Sequence, residues 1–170
     1  DSLMGSDLHE KTIGVIGTGH IGQHVIKIAK GFEMRVIAFD PFAKDELAKS
    51  LGFEYVELHE LLAVSDVVTL HAPLTPENKH LLNTERLALM KPTAVLINTA
   101  RGELVETQAL ADALEHKKLA GAALDVLEGE QLFDIHEEVA LLRSHALPST
   151  TAEQSVALMA LNKMPNVILT

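Results

Sequence analysis

A glycine-rich segment near the start of the chain has the spacing of a phosphate-binding turn. Gly17-Thr18-Gly19-His20-Ile21-Gly22 matches the pattern G-x-G-x-x-G, between an apolar run and a segment of helical period. In that setting the first glycine permits a tight turn, the second lets the backbone approach a pyrophosphate, and the third lets a helix pack closely on a sheet. The N–H groups at the start of that helix attract phosphate oxygens. The pattern therefore predicts a dinucleotide site.

An acidic residue follows the second apolar run, MRVIAF. The carboxylate of Asp40 can accept hydrogen bonds from the hydroxyls of an adenine ribose, and it would repel a 2′-phosphate. This favours NAD over NADP as the cofactor. The alternative is that Asp40 and Pro41 simply form a turn after a strand. The glycines upstream, which stand in the matching register, favour the cofactor interpretation.

Short apolar runs alternate with segments of helical period, and this alternation predicts the elements that position these residues. We predict strands over residues 12–16, 34–39, 67–70, 94–98, 122–124 and 167–169. We predict helices over residues 21–29, 45–51, 58–64, 84–90, 106–116 and 152–161. Gly52 should end the second helix, Thr84 should cap the fourth, and Ile21, Val25, Ile28 and Ala29 should share one face of the first.

Strands that are apolar throughout are expected where helices cover both faces of a sheet. The pattern therefore predicts an α/β fold with a doubly wound parallel sheet, a Rossmann-type dinucleotide-binding domain that occupies residues 1–170. The stretch from Leu127 to Thr151 is the least regular, and we expect a surface excursion there.

The bulk composition excludes several classes of function. A net charge of −10 disfavours nucleic acid as a partner. The absence of cysteine excludes disulfides, thiolate catalysis and cysteine metal sites, and it fits a cytoplasmic protein. No apolar run has the length of a membrane span. No pair of histidines has zinc spacing with a suitable third ligand, so we expect no metal site.

Three further segments resemble the D-isomer-specific 2-hydroxyacid dehydrogenase family. They are His71-Ala72-Pro73-Leu74-Thr75-Pro76-Glu77-Asn78, Ile97-Asn98-Thr99-Ala100-Arg101-Gly102, and the run from Gly121 to Glu130, GAALDVLEGE. With the glycine turn, four motifs stand in the family's order. Within the family, the LEGE sequence at residues 127–130, with Leu132-Phe133 shortly after it, most resembles the corresponding segment of D-lactate dehydrogenases.

The resemblance implies roles for particular residues. Arg101, at a strand end that should face the crevice, would hold the carboxylate of a 2-oxo acid with two parallel hydrogen bonds and polarise its ketone. The alternative is a surface arginine in a salt bridge. Asp125 would contact the nicotinamide amide. Glu130 would orient a catalytic histidine and raise its pKa; Glu128 is the rival carboxylate. The positions expected to contact NAD are Gly17, Gly19, His20, Ile21, Gly22, Asp40, Pro41, Ala72, Pro73, Asn78, Thr99, Ala100, Arg101 and Asp125.

The histidine that the family uses for catalysis is not among the nine present. The resemblance places it in a Pro-His pair just past Thr170 and builds the substrate domain from segments on both sides of this one. The chain also does not begin with Met, so we expect a fragment that is inactive alone. His71 ends a strand and could line the crevice. His9, His24, His59, His80, His116, His136 and His145 are expected on helix or loop surfaces.

The favoured function is therefore NAD(H) binding for hydride transfer between NADH and a 2-oxo acid. Co-repressors of the C-terminal-binding type, which share this fold and these motifs, are the alternative. A Rossmann domain for S-adenosylmethionine is disfavoured by Asp40, Arg101 and Glu130 together. The resemblance also implies a homodimer, to which Leu132, Phe133, Ile135, Leu141 and Leu142 could contribute apolar area, unless they pack on their own domain.

Overall fold

The protein, a computed structural model, is described over residues 7–128 and 156–170, which form one parallel sheet flanked by helices. The strands are β1 (Thr12–Ile16), β2 (Arg35–Phe39), β3 (Glu54–Tyr55), β4 (Val67–Leu70), β5 (Val95–Asn98), β6 (Gly121–Leu124) and β7 (Val167–Leu169). The helices are α1 (His20–Gly31), α2 (Asp45–Leu51), α3 (Leu58–Val64), α4 (Thr84–Leu87) and α5 (Thr107–Glu115). A 3₁₀ turn spans Gly102–Leu104, and residues 156–161 are helical.

The sheet is doubly wound, as predicted. The strand order is β3-β2-β1-β4-β5-β6-β7, with every neighbouring pair parallel. The order reverses direction between β1 and β4, and in such sheets a crevice for ligands opens there, outside the carboxyl ends of the strands. The register aligns the last residues of the central strands in one row: Phe39, Ile16, Leu70, Asn98 and Leu124. The residues that follow these strands must therefore lie side by side.

Two hydrophobic cores lie on opposite faces of the sheet. Ile13 and Val15 of β1 pack in a cluster with Ile26 of α1, whereas Ile16 packs in the larger cluster with Leu61 of α3. Because side chains alternate along a strand, these assignments place α1 and α3 on different faces. Both faces of the central strand are covered, which explains why β1 is apolar and buried along its whole length.

The predicted apolar face of α1 is buried only in part: Ala29 is buried and Val25 packs against the core. The residues that pack on the sheet are Gly22, Ile26 and Ala29, whereas Ile21 and Ile28 are 63% and 60% exposed. The sequence carries two apolar stripes on this helix, and its period alone does not say which one faces the sheet. The small side of the helix, at Gly22, is the one that can approach the end of β1.

Several element ends also differ from the prediction. Helix α4 ends at Leu87, and its cap is Asn83, whose Oδ1 accepts a hydrogen bond from the Arg86 N–H at 3.0 Å, not Thr84. Asparagine is a more favourable N-cap residue than threonine. The two-residue strand β3 and the 3₁₀ turn were not predicted. Gly52 does end α2, in the left-handed conformation with φ of 71°. No helix in the described part of the chain is both long and apolar enough to cross a membrane.

Candidate functional site

Two glycines of the turn are required by the fold itself. Gly17 has φ of 93°, and a Cβ there would lie 2.8 Å from the backbone of His71 and Ala72. A Cβ at Gly22 would overlap the carbonyl oxygen of Gly17. The first glycine therefore lets the end of β1 pass close to the end of β4, and the third lets α1 start directly above the turn.

Gly19 is not required by the fold. Its backbone is extended, with φ of −67° and ψ of −166°, and a Cβ there would meet no protein atom within 4 Å. Gly19 is also the N-cap of α1, where no side chain makes a capping hydrogen bond and the first turn carries no acidic residue. The start of this 12-residue helix thus presents N–H groups and partial positive charge to open space. These features fit a pyrophosphate group held against the backbone.

Asp40 lies beside this turn, at the end of β2, and contacts it directly. Its Oδ2 accepts hydrogen bonds from the N–H and the hydroxyl of Thr18, at 2.8 and 2.9 Å. Its Oδ1 accepts one from the Phe42 N–H at 2.9 Å. Because the Thr18 hydroxyl donates to Asp40, the Tyr55 hydroxyl at 2.8 Å must donate to Thr18. A chain of hydrogen bonds from Tyr55 of β3 through Thr18 to Asp40 therefore holds the carboxylate and the glycine turn together.

The hydrogen bonds keep the Asp40 carboxyl ionised. Its partial burial raises the pKa, but the donors of Thr18 and Phe42 outweigh this effect, so the pKa lies below its ordinary value. Each carboxylate oxygen has two acceptor sites, so Oδ1 keeps one free for a further donor. Asp40 can therefore hold the turn and still accept from a ribose hydroxyl. Pro41, which follows, is exposed.

The loop after β4 forms the next wall of the crevice. His71 is half-buried, and its Nε2 lies 2.9 Å from the hydroxyl of Thr69. Burial lowers the pKa of His71, so the ring is neutral at physiological pH. The Asn78 side chain closes the loop: its Oδ1 accepts from the Thr75 N–H at 2.7 Å and its Nδ2 donates to the Pro73 carbonyl at 2.8 Å. Asn78 thereby shapes the segment that contains Ala72 and Pro73.

The turn after β5 carries Arg101 and is shaped by a buried amide. Asn98 is 1% exposed; its Oδ1 accepts from the Ala100 N–H at 3.0 Å, and its Nδ2 donates to the Arg101 carbonyl at 2.9 Å. The Arg101 side chain is exposed, and its Nη1 donates to the Ala100 carbonyl at 2.6 Å. It has no carboxylate partner within residues 7–128 and 156–170. As far as residues 7–128 and 156–170 are concerned, the guanidinium can bind an anion. Thr99 is exposed and Ala100 half-buried.

The loop after β6 begins with Asp125, whose N–H donates to the Asn98 carbonyl at 3.0 Å. Its Oδ1 accepts from the hydroxyl of Thr170 at 2.7 Å, which ties the ends of β6 and β7 together. Glu130, predicted to be catalytic, lies outside the described residues. Glu128, the rival carboxylate, is buried and hydrogen-bonded to His80. His80, expected on a loop surface, lies in a loop, and its side chain is 34% exposed.

The structure brings most of the predicted residues to one edge of the sheet. Asp40, the glycine turn, His71 to Asn78, Thr99 to Arg101 and Asp125 all follow the carboxyl ends of neighbouring strands. Sequence reasoning missed the residues that hold these in place, namely Thr18, Tyr55 and Asn98 as hydrogen-bond partners. The available signals were the polar position inside the glycine pattern and the asparagine just before the arginine turn. Within the described ranges no cluster of three or more potential metal-ligating side chains occurs.

Comparisons with known proteins agree with this geometry. A family model described as D-isomer specific 2-hydroxyacid dehydrogenase, NAD binding domain, matches residues 1–170. The D-specific alpha-keto acid dehydrogenase of Enterococcus faecalis is 45% identical over 170 residues, which cover 100% of this chain and 48% of that protein. The glyoxylate reductase of Thermococcus onnurineus is 49% identical over 137 residues, 81% of this chain and 40% of that protein.

The structural similarity is equally extensive. The crystal structure of a D-lactate dehydrogenase from Aquifex aeolicus, complexed with NAD and lactic acid, superposes with a TM-score of 0.85 at 36% identity. The match covers 100% of this chain and 48% of that one. The chain thus spans about half the length, or less, of the relatives it matches.

Proposed function

The chain belongs to the D-isomer specific 2-hydroxyacid dehydrogenase family, of which it is an NAD binding domain, and we propose that it holds NAD(H) for hydride transfer between NADH and a 2-oxo acid. The product would be a D-2-hydroxy acid. The observation that carries this proposal is Gly19. Neither backbone conformation nor neighbouring atoms require glycine there, and a ligand in the open space beside it would account for the absence of a side chain.

The position of each loop along the sheet divides the crevice into two halves. The pyrophosphate would lie at the start of α1, with the adenosine ribose on the side of β2, where Asp40 ends the strand. The other half of the dinucleotide would extend across the loops after β4, β5 and β6. This arrangement would direct the nicotinamide toward Arg101 and Asp125.

Arg101 is the residue that we propose to bind the substrate. Its planar guanidinium can donate two parallel hydrogen bonds to the substrate carboxylate and polarise the adjacent ketone. The Asn98 amide fixes the turn on both sides of Ala100, so the guanidinium starts from a defined backbone position. Bound NADH supplies the hydride.

The proton donor and the lid over the substrate would come from outside these residues. We propose that the domain works with a substrate-binding domain, because the relatives are about twice as long as this chain. Glu130 would orient the proton-donating histidine of that larger protein. The substrate would be of the D-lactate type; the names of the Enterococcus faecalis and Aquifex aeolicus relatives support a 2-oxo acid and D-lactate, respectively.

Two measurements test the proposal. The 170-residue chain should bind NADH with micromolar affinity and bind NADPH less tightly, by calorimetry or by enhancement of NADH fluorescence. A chimera in which this chain replaces the NAD-binding domain of a D-lactate dehydrogenase should reduce pyruvate, whereas the chain alone should not. Absence of NADH binding would refute the proposal, and turnover by the chain alone would refute the need for a second domain. A chimera that binds NADH but does not reduce pyruvate would favour the co-repressor alternative.

We also propose that the protein forms a homodimer, with the exposed stripe of α1 as one contact. Ile21 and Ile28 of this helix and Phe32, its C-cap residue, are 63%, 60% and 55% exposed, which is unusual for large apolar side chains grouped together. The residues first expected in this contact, Leu132 to Leu142, lie outside the described residues. Ile28→Glu combined with Phe32→Glu should shift sedimentation toward a monomer, whereas Lys27→Glu should not. A wild-type monomer at micromolar concentration would refute the proposal.

A further inference from the structure

A buried carboxylate on the loop after β6 is paired with a histidine on the loop after β4. Glu128 Oε1 lies 2.7 Å from His80 Nε2, and the two side chains are 7% and 34% exposed. Glu128 Oε2 accepts a second hydrogen bond, of 3.3 Å, from the hydroxyl of Thr107 at the start of α5. A carboxylate is rarely buried without partners, since burial costs its hydration. Both oxygens of Glu128 are therefore satisfied by residues distant in sequence.

These contacts join three loops of the crevice. The backbone of Leu127 and Glu128 lies against Gly102 so closely that a Cβ on Gly102 would overlap it. Gly102 directly follows Arg101, and the backbone carbonyl of the next residue, Glu103, accepts a 2.7 Å hydrogen bond from the N–H of His80. The loops after β4, β5 and β6 thus meet at one point, and Glu128 lies three residues beyond Asp125 in the chain.

The backbone of His80 supports a role for its side chain. His80 has φ of 52°, in the left-handed region that glycine and asparagine adopt more easily than other residues. Glycine or asparagine would satisfy this loop conformation, yet only a longer side chain with a distal donor reaches Glu128. The imidazole therefore serves the pair rather than the turn.

We propose that His80 and Glu128 are positioning residues that set the arrangement of the nicotinamide half of the crevice. They touch neither cofactor nor substrate; they act through the loops that carry Asp125 and Arg101. The inference rests on the proposed function, because it assumes that the dinucleotide lies across the crevice as described above. It goes further by predicting that the two halves of the dinucleotide respond differently when this pair is broken.

Two substitutions separate the hydrogen bond from the backbone. His80→Asn keeps a residue that tolerates the left-handed conformation but withdraws the donor from Glu128. His80→Gln places an amide nitrogen near the position of Nε2 and keeps the donor, but tolerates the backbone less well. The matched control is His9→Asn. His9 forms a 3.0 Å pair with Glu33 that is largely exposed, and the two residues precede β1 and β2, at the amino ends of the strands and away from the crevice.

The test compares NADH with ADP-ribose, which has the adenosine, pyrophosphate and ribose but no nicotinamide. By calorimetry on the 170-residue chain, His80→Asn should weaken NADH about tenfold or more and ADP-ribose by less than about twofold. His80→Gln should keep the wild-type ratio of the two affinities even if its melting temperature is lower, and His9→Asn should change neither affinity. A purely structural role would instead weaken both ligands together, or neither.

The outcomes distinguish this inference from the proposed function. If the wild-type chain binds NADH more tightly than ADP-ribose, but His80→Asn leaves that preference intact, the positioning role is wrong and the proposed function stands. If the wild-type chain binds neither ligand, the proposed function itself is wrong. If it binds both equally, the nicotinamide half of the crevice is not formed as described, and the positioning role fails with it.

Discussion

Gly19→Asp should stabilise the protein while it weakens dinucleotide binding. Aspartate is a preferred N-cap, whereas α1 has no side-chain cap and no acidic residue in its first turn. The extended backbone of Gly19 accepts any residue, and the space beside it is open. The cap and the helix dipole together should add about 0.5–1 kcal/mol to the free energy of unfolding.

The loss of affinity follows from the same geometry. A phosphate held at the start of α1 would lie about 4–5 Å from the new carboxylate, where like charges repel by about 1 kcal/mol in water and about 4 kcal/mol near a protein surface. The dissociation constant for NADH should therefore rise between about fivefold and about a thousandfold. Titration of NADH by calorimetry measures this change, and urea denaturation measures the stability.

Gly19→Asn is the matched control, since it has the same shape and also caps helices but carries no charge. Its affinity for NADH should lie between those of the wild type and Gly19→Asp, which separates occupied space from repulsion. Gly31→Asn, at the far end of α1, also adds a side chain in open space and should leave NADH binding unchanged. If Gly19→Asp binds NADH within about threefold of the wild type, the pyrophosphate does not lie at this helix start.

Three other predictions concern the remaining walls of the crevice. Asp40→Asn should weaken the binding of NADH by about tenfold or more and reduce the ratio of the NADH affinity to the NADPH affinity. Thr18→Val, which removes one hydrogen bond to Asp40, should weaken the binding of both cofactors and keep that ratio. An unchanged affinity ratio in Asp40→Asn would contradict the role of Asp40 in binding the ribose. Arg101→Gln should lower kcat/KM for pyruvate by about 10- to 100-fold in the chimera with D-lactate dehydrogenase; steady-state rates near those of the unsubstituted chimera would exclude Arg101 from substrate binding. Because burial lowers the pKa of His71, the unfolded chain binds its proton more tightly, so this contribution to stability is complete above about pH 6.5 and is lost as the pH falls below it. Urea denaturation between pH 7.5 and pH 5 should show a smaller decline for His71→Gln, and equal declines would refute the assignment.

The sequence predicts an element well where a local signal fixes it. The strands β1, β4 and β7 and the helices α2 and α3 have the predicted bounds, because each apolar run or helical period ends at a clear polar or glycine boundary. Gly52, for instance, ends α2 through its own backbone preference. The strand β3 could not be predicted this way, since two residues carry no period and Glu54–Tyr55 is a strand only because it pairs with β2.

The candidate site, too, is predictable only where a local signal in the sequence fixes the position of a residue. Asp40, Arg101 and Asp125 could be placed at the crevice because each follows a strand, and the parallel order of the strands brings such positions together. Their hydrogen-bond partners could not be placed, since a partner is chosen by register between distant segments. Glu128 shows this most clearly. A glutamate among acidic neighbours in the sequence is expected to be solvated. His80, which is 48 positions away in the chain, instead forms a hydrogen bond with Glu128 that compensates for the burial of its carboxylate.

The two sides of the crevice are held by separate sets of contacts. On the side proposed for the adenosine, Tyr55, Thr18 and Asp40 connect β3, the glycine turn and β2. On the side proposed for the nicotinamide, Asn98 and Glu128 organise the loops after β4, β5 and β6. The sides touch where Gly17 passes the backbone at His71, and there glycine is required both by its φ and by the lack of space. A side chain at this one position would alter both halves at once, whereas substitutions within either set should leave the other half in place, because distant sites without shared partners act independently.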